Sequence, residues 1–240
     1  MISKKTAFLV FSREKFDEAF LYASELHRQQ TRKGNGPVAP FMVHLMSVAS
    51  LVAENVGDPL ILKKTDQSSY LPEDVAIAAM LHDAIEDQGE KTSFQEIETR
   101  FGKDVAEIVD WCSEYSRLEN GSKPKWEMRK MNYIKKQETA PLAALVVSCC
   151  DKIHNLRSML ASYYKEGDEL WSVFSRGPAL TISYYNVLRK VYHIRLKNTD
   201  SQHLLRIYDG ALKDIQNATG EFGDQNSVFE EFVKEFIENQ

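Results

Sequence analysis

The chain has 240 residues and 27.5 kDa, is 43% hydrophobic and 27% charged, and carries a formal net charge of -5 with a pI of about 5.8. That is the composition of an ordinary globular protein with one large domain or two small ones. The acidic balance argues against a general nucleic-acid binder, and no run approaches the roughly 18 apolar residues of a membrane span. Three cysteines, with Cys149 and Cys150 adjacent, do not make a disulfide framework, and they point to a reducing cytoplasm. The apolar run Ala7–Phe11 is too short for the core of a signal peptide.

The dominant period along the chain is helical. Phe16, Ala19, Phe20, Ala23 and Leu26 fall on one helix face, and Gly34, Gly36 and Pro37 stop it. A second helix is expected from about Val43 to Glu54. Leu71-Pro72-Glu73-Asp74 starts another, with acids in its first turn, and nearly every residue from Val75 to Ile85 is apolar, so this helix should be central. Thr92 or Ser93 caps a short helix to Arg100, with Glu96 placed for a capping box. Val105, Ile108, Val109 and Cys112 mark the next. Residues 116–125 read as a loop and Trp126–Gln137 as a basic helix. Pro141 opens an apolar helix running through Cys150 to about Leu160, and helical patterns follow at 178–196, 201–216 and 226–238. Strand signals are poor, so the fold expected is all-α. Residues 1–200 are expected to form the main domain, with 201–240 a helical extension packed on it.

The chemistry concentrates in Leu81-His82-Asp83-Ala84-Ile85-Glu86-Asp87. A histidine and three carboxylates sit within six residues at the end of an apolar helix. Like charges at helical neighbour spacing repel, and partial burial makes this worse, so a divalent cation would offset the cost. The plainer reading is a core histidine followed by solvated acids. Asp151, in Cys149-Cys150-Asp151-Lys152-Ile153-His154-Asn155, interrupts another apolar helix and needs a partner, either Lys152 or a metal.

These segments, in this order, resemble the HD-domain (p)ppGpp hydrolases: the hydrolase domain of Rel/SpoT enzymes and the stand-alone small alarmone hydrolases. His27–Lys33 is similar to the family's first block, Pro40–His44 to "PYIxHP", Leu81–Asp87 to "LLHDxxED", Phe101–Ala106 to "FGxxVA" and Asp151–Arg157 to "ADxxHNxR". Arg129-Lys130 with Tyr133-Ile134 resembles the "RKxxYI" of the small members. The likeness covers residues 14–195. It implies an HD-domain helical bundle with His44, His82, Asp83 and Asp151 as metal ligands. Mn2+ is the expected ion, with Fe, Co or Zn as alternatives; a mixed imidazole and carboxylate set suits such ions. It implies that Glu86 and Asp87 position and deprotonate the attacking water. It places Arg32, Lys33, Asn155 and Tyr184 (or Tyr185) near the nucleotide. Arg32 and Lys33 can equally be cations at a helix end, and the run from Lys123 to Lys136 either a solvated face or a funnel for a polyanion. Leu45 departs from the proline expected after the first metal histidine, and Gly34–Pro40 differs from the usual loop.

The activity implied is metal-dependent hydrolysis of the 3′-pyrophosphate of (p)ppGpp in the cytoplasm, without synthesis. The partner is this small nucleotide, with no nucleic acid or membrane; a homo-oligomer stays open. Two alternatives stand beside it: a phosphohydrolase acting on another nucleotide, such as the 2′-phosphate of NADPH, and a nucleotide sensor without turnover.

Overall fold

The computed structural model describes residues 13–32, 39–114, 124–221 and 229. Over these residues the chain forms eleven α-helices. Among the described residues the only extended pairing is two isolated bridges, Thr31 with Pro40 and Lys63 with Ser69. The helices are α1 (Arg13–Leu26), α2 (Met42–Ala53), α3 (Pro59–Leu62), α4 (Pro72–Leu81), α5 (Ala84–Gln88), α6 (Phe94–Phe101), α7 (Lys103–Cys112), α8 (Trp126–Thr139), α9 (Leu142–Glu166), α10 (Pro178–Leu196) and α11 (Gln202–Thr219). A 3-10 helix, Gly167–Val173, links α9 to α10. The all-α expectation holds, and no described helix is long and apolar enough to cross a membrane.

Helix α4 lies at the centre. Pro72 occupies its first turn, Glu73 and Asp74 follow, and every residue from Val75 to Leu81 is buried. A helix apolar all round has to be covered all round. Here α1, α2, α7 and α9 pack on it. The 25-residue α9 is the second axis, buried along most of its length from Ala143 to Met159 and covered by α2, α7 and α11. Local signals set several boundaries. Ser93 caps α6 by accepting the Glu96 N–H at 3.2 Å. Gly102 joins α6 to α7 at φ 97, a conformation costly for any residue with a Cβ.

The central apolar stretch is not one helix through Ile85. It stops at Leu81 and restarts at Ala84, with Asp83 at φ -95, ψ -1 between them. The cause is local. His82 Nδ1 donates to the Ala79 carbonyl at 2.8 Å and competes for an oxygen that a continuing helix would use. The Asp87 N–H then bonds the Asp83 carbonyl at 2.9 Å and begins α5. Two elements had no forecast, the one-turn α3 and the 3-10 helix. The helix expected at 226–238 and most of the loop at 116–125 lie outside the described residues, except Phe229, Pro124 and Lys125.

Candidate functional site

Three elements converge on one point. α2 supplies His44, the break between α4 and α5 supplies His82 and Asp83, and α9 supplies Asp151. The two Nε2 atoms lie 3.2 Å apart. Asp83 Oδ2 is 3.4 Å from His44 Nε2 and 3.2 Å from His82 Nε2. Asp151 Oδ1 is 3.3 Å and 3.7 Å from the same two atoms. His44 and His82 are buried, at 0% and 2% exposure. The donor atoms of His44, His82 and Asp83 lie close enough together to hold one metal ion.

The groups behind these atoms fix their roles. His82 gives its Nδ1 hydrogen to Ala79, which leaves Nε2 as the nitrogen facing the carboxylates. His44 Nδ1 lies 2.8 Å from His154 Nδ1, again leaving Nε2 toward the cluster. Asp151 divides its two oxygens. Lys152 Nζ donates to Oδ2 at 2.6 Å, while Oδ1 faces the histidines and accepts from Asn155 Nδ2 at 2.5 Å. Lys152 therefore holds one oxygen, and the other faces the histidines with Asn155 beside it. Burial works against a charge on His82, but Asp83 and Asp151 outweigh it and raise the ring's pKa well above the usual value. Burial likewise opposes ionisation of Asp83 and Asp151. For Asp83 the His82 and His44 rings prevail, and for Asp151 Lys152 and the same rings, so both carboxyls are held well below their usual range. The two carboxylates thus favour positive charge between them, and a divalent cation would displace the histidine proton on binding.

A cavity of about 460 Å³ opens over the cluster. Its lining includes His44, Asp83 and Asp151, and with them Glu86 and Asp87. Burial, then Glu114 and Asp83, push the Glu86 carboxyl up to about 8, although the Glu114 N–H donates to it at 2.8 Å. Asp87 accepts from Gln30 Nε2 at 2.6 Å. Arg32 Nη2 donates to Asn155 Oδ1 at 2.7 Å, and its guanidinium carbon lies 5.6 Å from the Phe41 ring centre. Tyr184 is buried in the wall with Lys130 Nζ 4.8 Å from its ring centre, and Tyr185 lines the cavity beside it. Lys33 lies outside the described residues. All the other site residues named from the sequence line the cavity except His82, which stands directly behind it.

The basic run divides. Arg129 and Lys130 reach the cavity and pair with Glu114, which is 5% exposed at its side chain. Lys136 turns instead to the Asp110 carbonyl, at 2.6 Å. Three buried donors on the lining, Arg32 Nε, Arg129 Nε and the Tyr184 hydroxyl, have no hydrogen-bond partner among the described residues.

Three supporting residues lie around these site residues. Gln30 accepts from His27 Nδ1 and Gln88 Nε2, both at 2.7 Å, while holding Asp87. Glu114 joins Arg129 and Lys130 to Glu86. His154 orients His44. Gln30 and His154 stand within quoted motifs, so their signal was present; nothing local marks Glu114.

Comparison with known proteins bears on this geometry. The family described as HD domain matches residues 19–176. A guanosine-3′,5′-bis(diphosphate) 3′-pyrophosphohydrolase, MESH1, of Xenopus tropicalis is 33% identical over 147 residues, which cover 59% of this chain and 68% of that protein. The Drosophila melanogaster MESH1 is 29% identical over 60% of this chain and 69% of its own length. The bifunctional (p)ppGpp synthase/hydrolase SpoT of Escherichia coli K12 is 28% identical over 59% of this chain but only 18% of its own length. Among solved structures, a metazoan ortholog of SpoT, described as hydrolysing ppGpp, superposes with a TM-score of 0.58 at 23% identity, covering 87% of this chain and 97% of that one. At that identity the superposition establishes the shared fold.

Proposed function

This chain belongs to the HD-domain family, and we propose that it removes pyrophosphate from the 3′ position of (p)ppGpp. The HD domain implies a divalent metal, and His44, His82, Asp83 and Asp151 would hold it, Mn2+ by preference. The donor set fits such an ion: two imidazole lone pairs fixed from behind and two carboxylate oxygens converge from three elements. When bound, the cation supplies Lewis acidity to a phosphoryl oxygen and to water.

The chain's own residues do the rest. Asp87, and Glu86 in its ionised form, which its raised pKa makes the stronger base, line the cavity beside the cluster and take the proton of the attacking water. Water oxygen bonds to the inner phosphorus of the 3′-diphosphate, the bond from phosphorus to the 3′ oxygen breaks, and that oxygen leaves with a proton as the 3′-hydroxyl of GDP or GTP. Arg32, Arg129, Lys130 and Lys152 compensate a polyanion inside an acidic protein. Asn155 holds both Arg32 and Asp151, so the nucleotide contact and the metal ligand share one support. Lys33 and Tyr184 complete the proposed nucleotide contacts. Three free cysteines suit a reducing cytoplasm.

One observation carries the reading. A His–Asp cluster, two acids and orphaned Arg32 and Arg129 donors share a single cavity. Phosphorus NMR of products from ppGpp, pppGpp and NADPH tests it. Pyrophosphate from the first two with NADPH unchanged is expected. Orthophosphate from NADPH alone would replace the alarmone with the second reading.

A further inference from the structure

Phe229 lies far beyond the family-matched residues 19–176, yet it touches the wall of the catalytic cavity. It is 2% exposed, and its backbone N–H donates to Ser183 Oγ at 3.0 Å. Its ring meets Trp126 edge-on, with centroids 5.8 Å apart, and Tyr184 at 6.0 Å. Trp126 and Tyr184 themselves meet at 6.2 Å, which closes a three-ring cluster. Two of the three rings line the cavity; Phe229 stands behind them. Trp126 is the first residue of α8. The Arg176 guanidinium, paired with the buried Glu127, also lies 6.0 Å from the Trp126 ring centre. Tyr184 carries the Lys130 ammonium 4.8 Å from its ring centre, and Lys130 pairs with Glu114, whose N–H holds Glu86.

We propose that Phe229 is a positioning residue of the substrate pocket, acting through Trp126 and Tyr184 to fix the aromatic wall against which the nucleotide binds. The inference rests on the cavity being the nucleotide site. Aromatic pairs in this geometry add to simple burial, and removing one ring of three frees the other two to change rotamer. Neither ring belongs to the His–Asp cluster or to the Glu86–Asp87 pair, so the wall contacts substrate alike in ground and transition states. Its loss therefore weakens binding without slowing the chemical step.

The test is steady-state kinetics of Phe229→Ala and Phe229→Leu in the full chain, with Mn2+ and ppGpp. Phe229→Ala should raise KM about tenfold with kcat within about twofold, the signature of lost uniform binding. Phe229→Leu, which refills most of the volume, should recover most of that KM. In a Trp126→Ala background Phe229→Ala should add little, because both act through one wall. An unchanged KM in Phe229→Ala would overturn the inference, as would a fall in kcat shared by Phe229→Leu. No turnover by the wild type would overturn the reaction itself and this inference with it; turnover by the wild type with equal KM in the variant would overturn the inference alone.

Discussion

Replacing His154 with phenylalanine tests how the cluster is held. For His44 to present the Nε2 lone pair to a cation, its Nδ1 must carry the hydrogen. The acceptor for that hydrogen is His154 Nδ1, 2.8 Å away. His154 is neutral at pH 7, since burial, then His44 and Arg32, lower its pKa to about 4. Phenylalanine keeps the ring volume and offers no acceptor. His44 is 0% exposed, so water does not replace the lost bond. Without the cation, His44 can take the other tautomer and donate Nε2–H to Asp83 or Asp151, at 3.4 Å and 3.3 Å. The penalty therefore falls on metal binding. A buried donor left unsatisfied costs about 1–3 kcal/mol, which is about 5–150-fold in affinity. Partners of metal-ligating histidines elsewhere contribute about 10–100-fold, within that span. Titration of Mn2+ against a competing chelator reads the ratio directly. Equal Mn2+ affinity in a folded His154→Phe protein would refute the reasoning.

Other outcomes follow from the same geometry. Asp83→Ala removes a carboxylate that reaches both histidines, and metal retention and turnover should be lost together; metal analysis showing a full complement would contradict this. Glu86→Gln should keep the metal and lower kcat by about 10²–10⁴-fold, the usual size of a general-base contribution; an unchanged kcat removes Glu86 from the mechanism. Glu114→Gln should lower stability at pH 7 by about 2 kcal/mol, less than for a fully buried pair because Arg129 and Lys130 are 20% and 19% exposed. Burial opposes ionisation of Glu114, but Lys130 and Lys152 prevail and hold its pKa below 4.5. Its stabilisation is therefore complete above pH 4.5 and fades as pH falls below that value, so the gap between variant and wild type should close there. Urea unfolding at several pH values checks the sign, and equal midpoints at pH 7 would count against the pairing.

The helices were legible where periodicity and punctuation agreed. α10 matches its expected limits, Ser93 caps α6 as its spacing implies, and α4 is buried as an all-apolar segment must be. The break after Leu81 was not legible, because no glycine or proline marks it; a side chain bonding the Ala79 carbonyl does. That break turns Asp83 toward α2 and α9, so the feature that builds the cluster is the one that local pattern hides. The residues brought together at the cluster were readable as types in motifs. Their supports were less so. Gln30 holds Asp87 from 57 residues away and Glu114 holds Glu86 from 28, contacts set by how α1 and the end of α7 pack. The basic run illustrates the same limit: one stretch of sequence sends Arg129 and Lys130 to the cavity and Lys136 to the end of α7.

The central claim is that this cavity cleaves the 3′-diphosphate of an alarmone with the help of a cation held by His44, His82, Asp83 and Asp151. Pyrophosphate release from ppGpp by the purified protein, with Mn2+ and with chelator, tests it most directly. The account predicts stoichiometric pyrophosphate and GDP with Mn2+, and none with chelator. No release from the Mn2+-loaded protein, or release untouched by chelator, would contradict it.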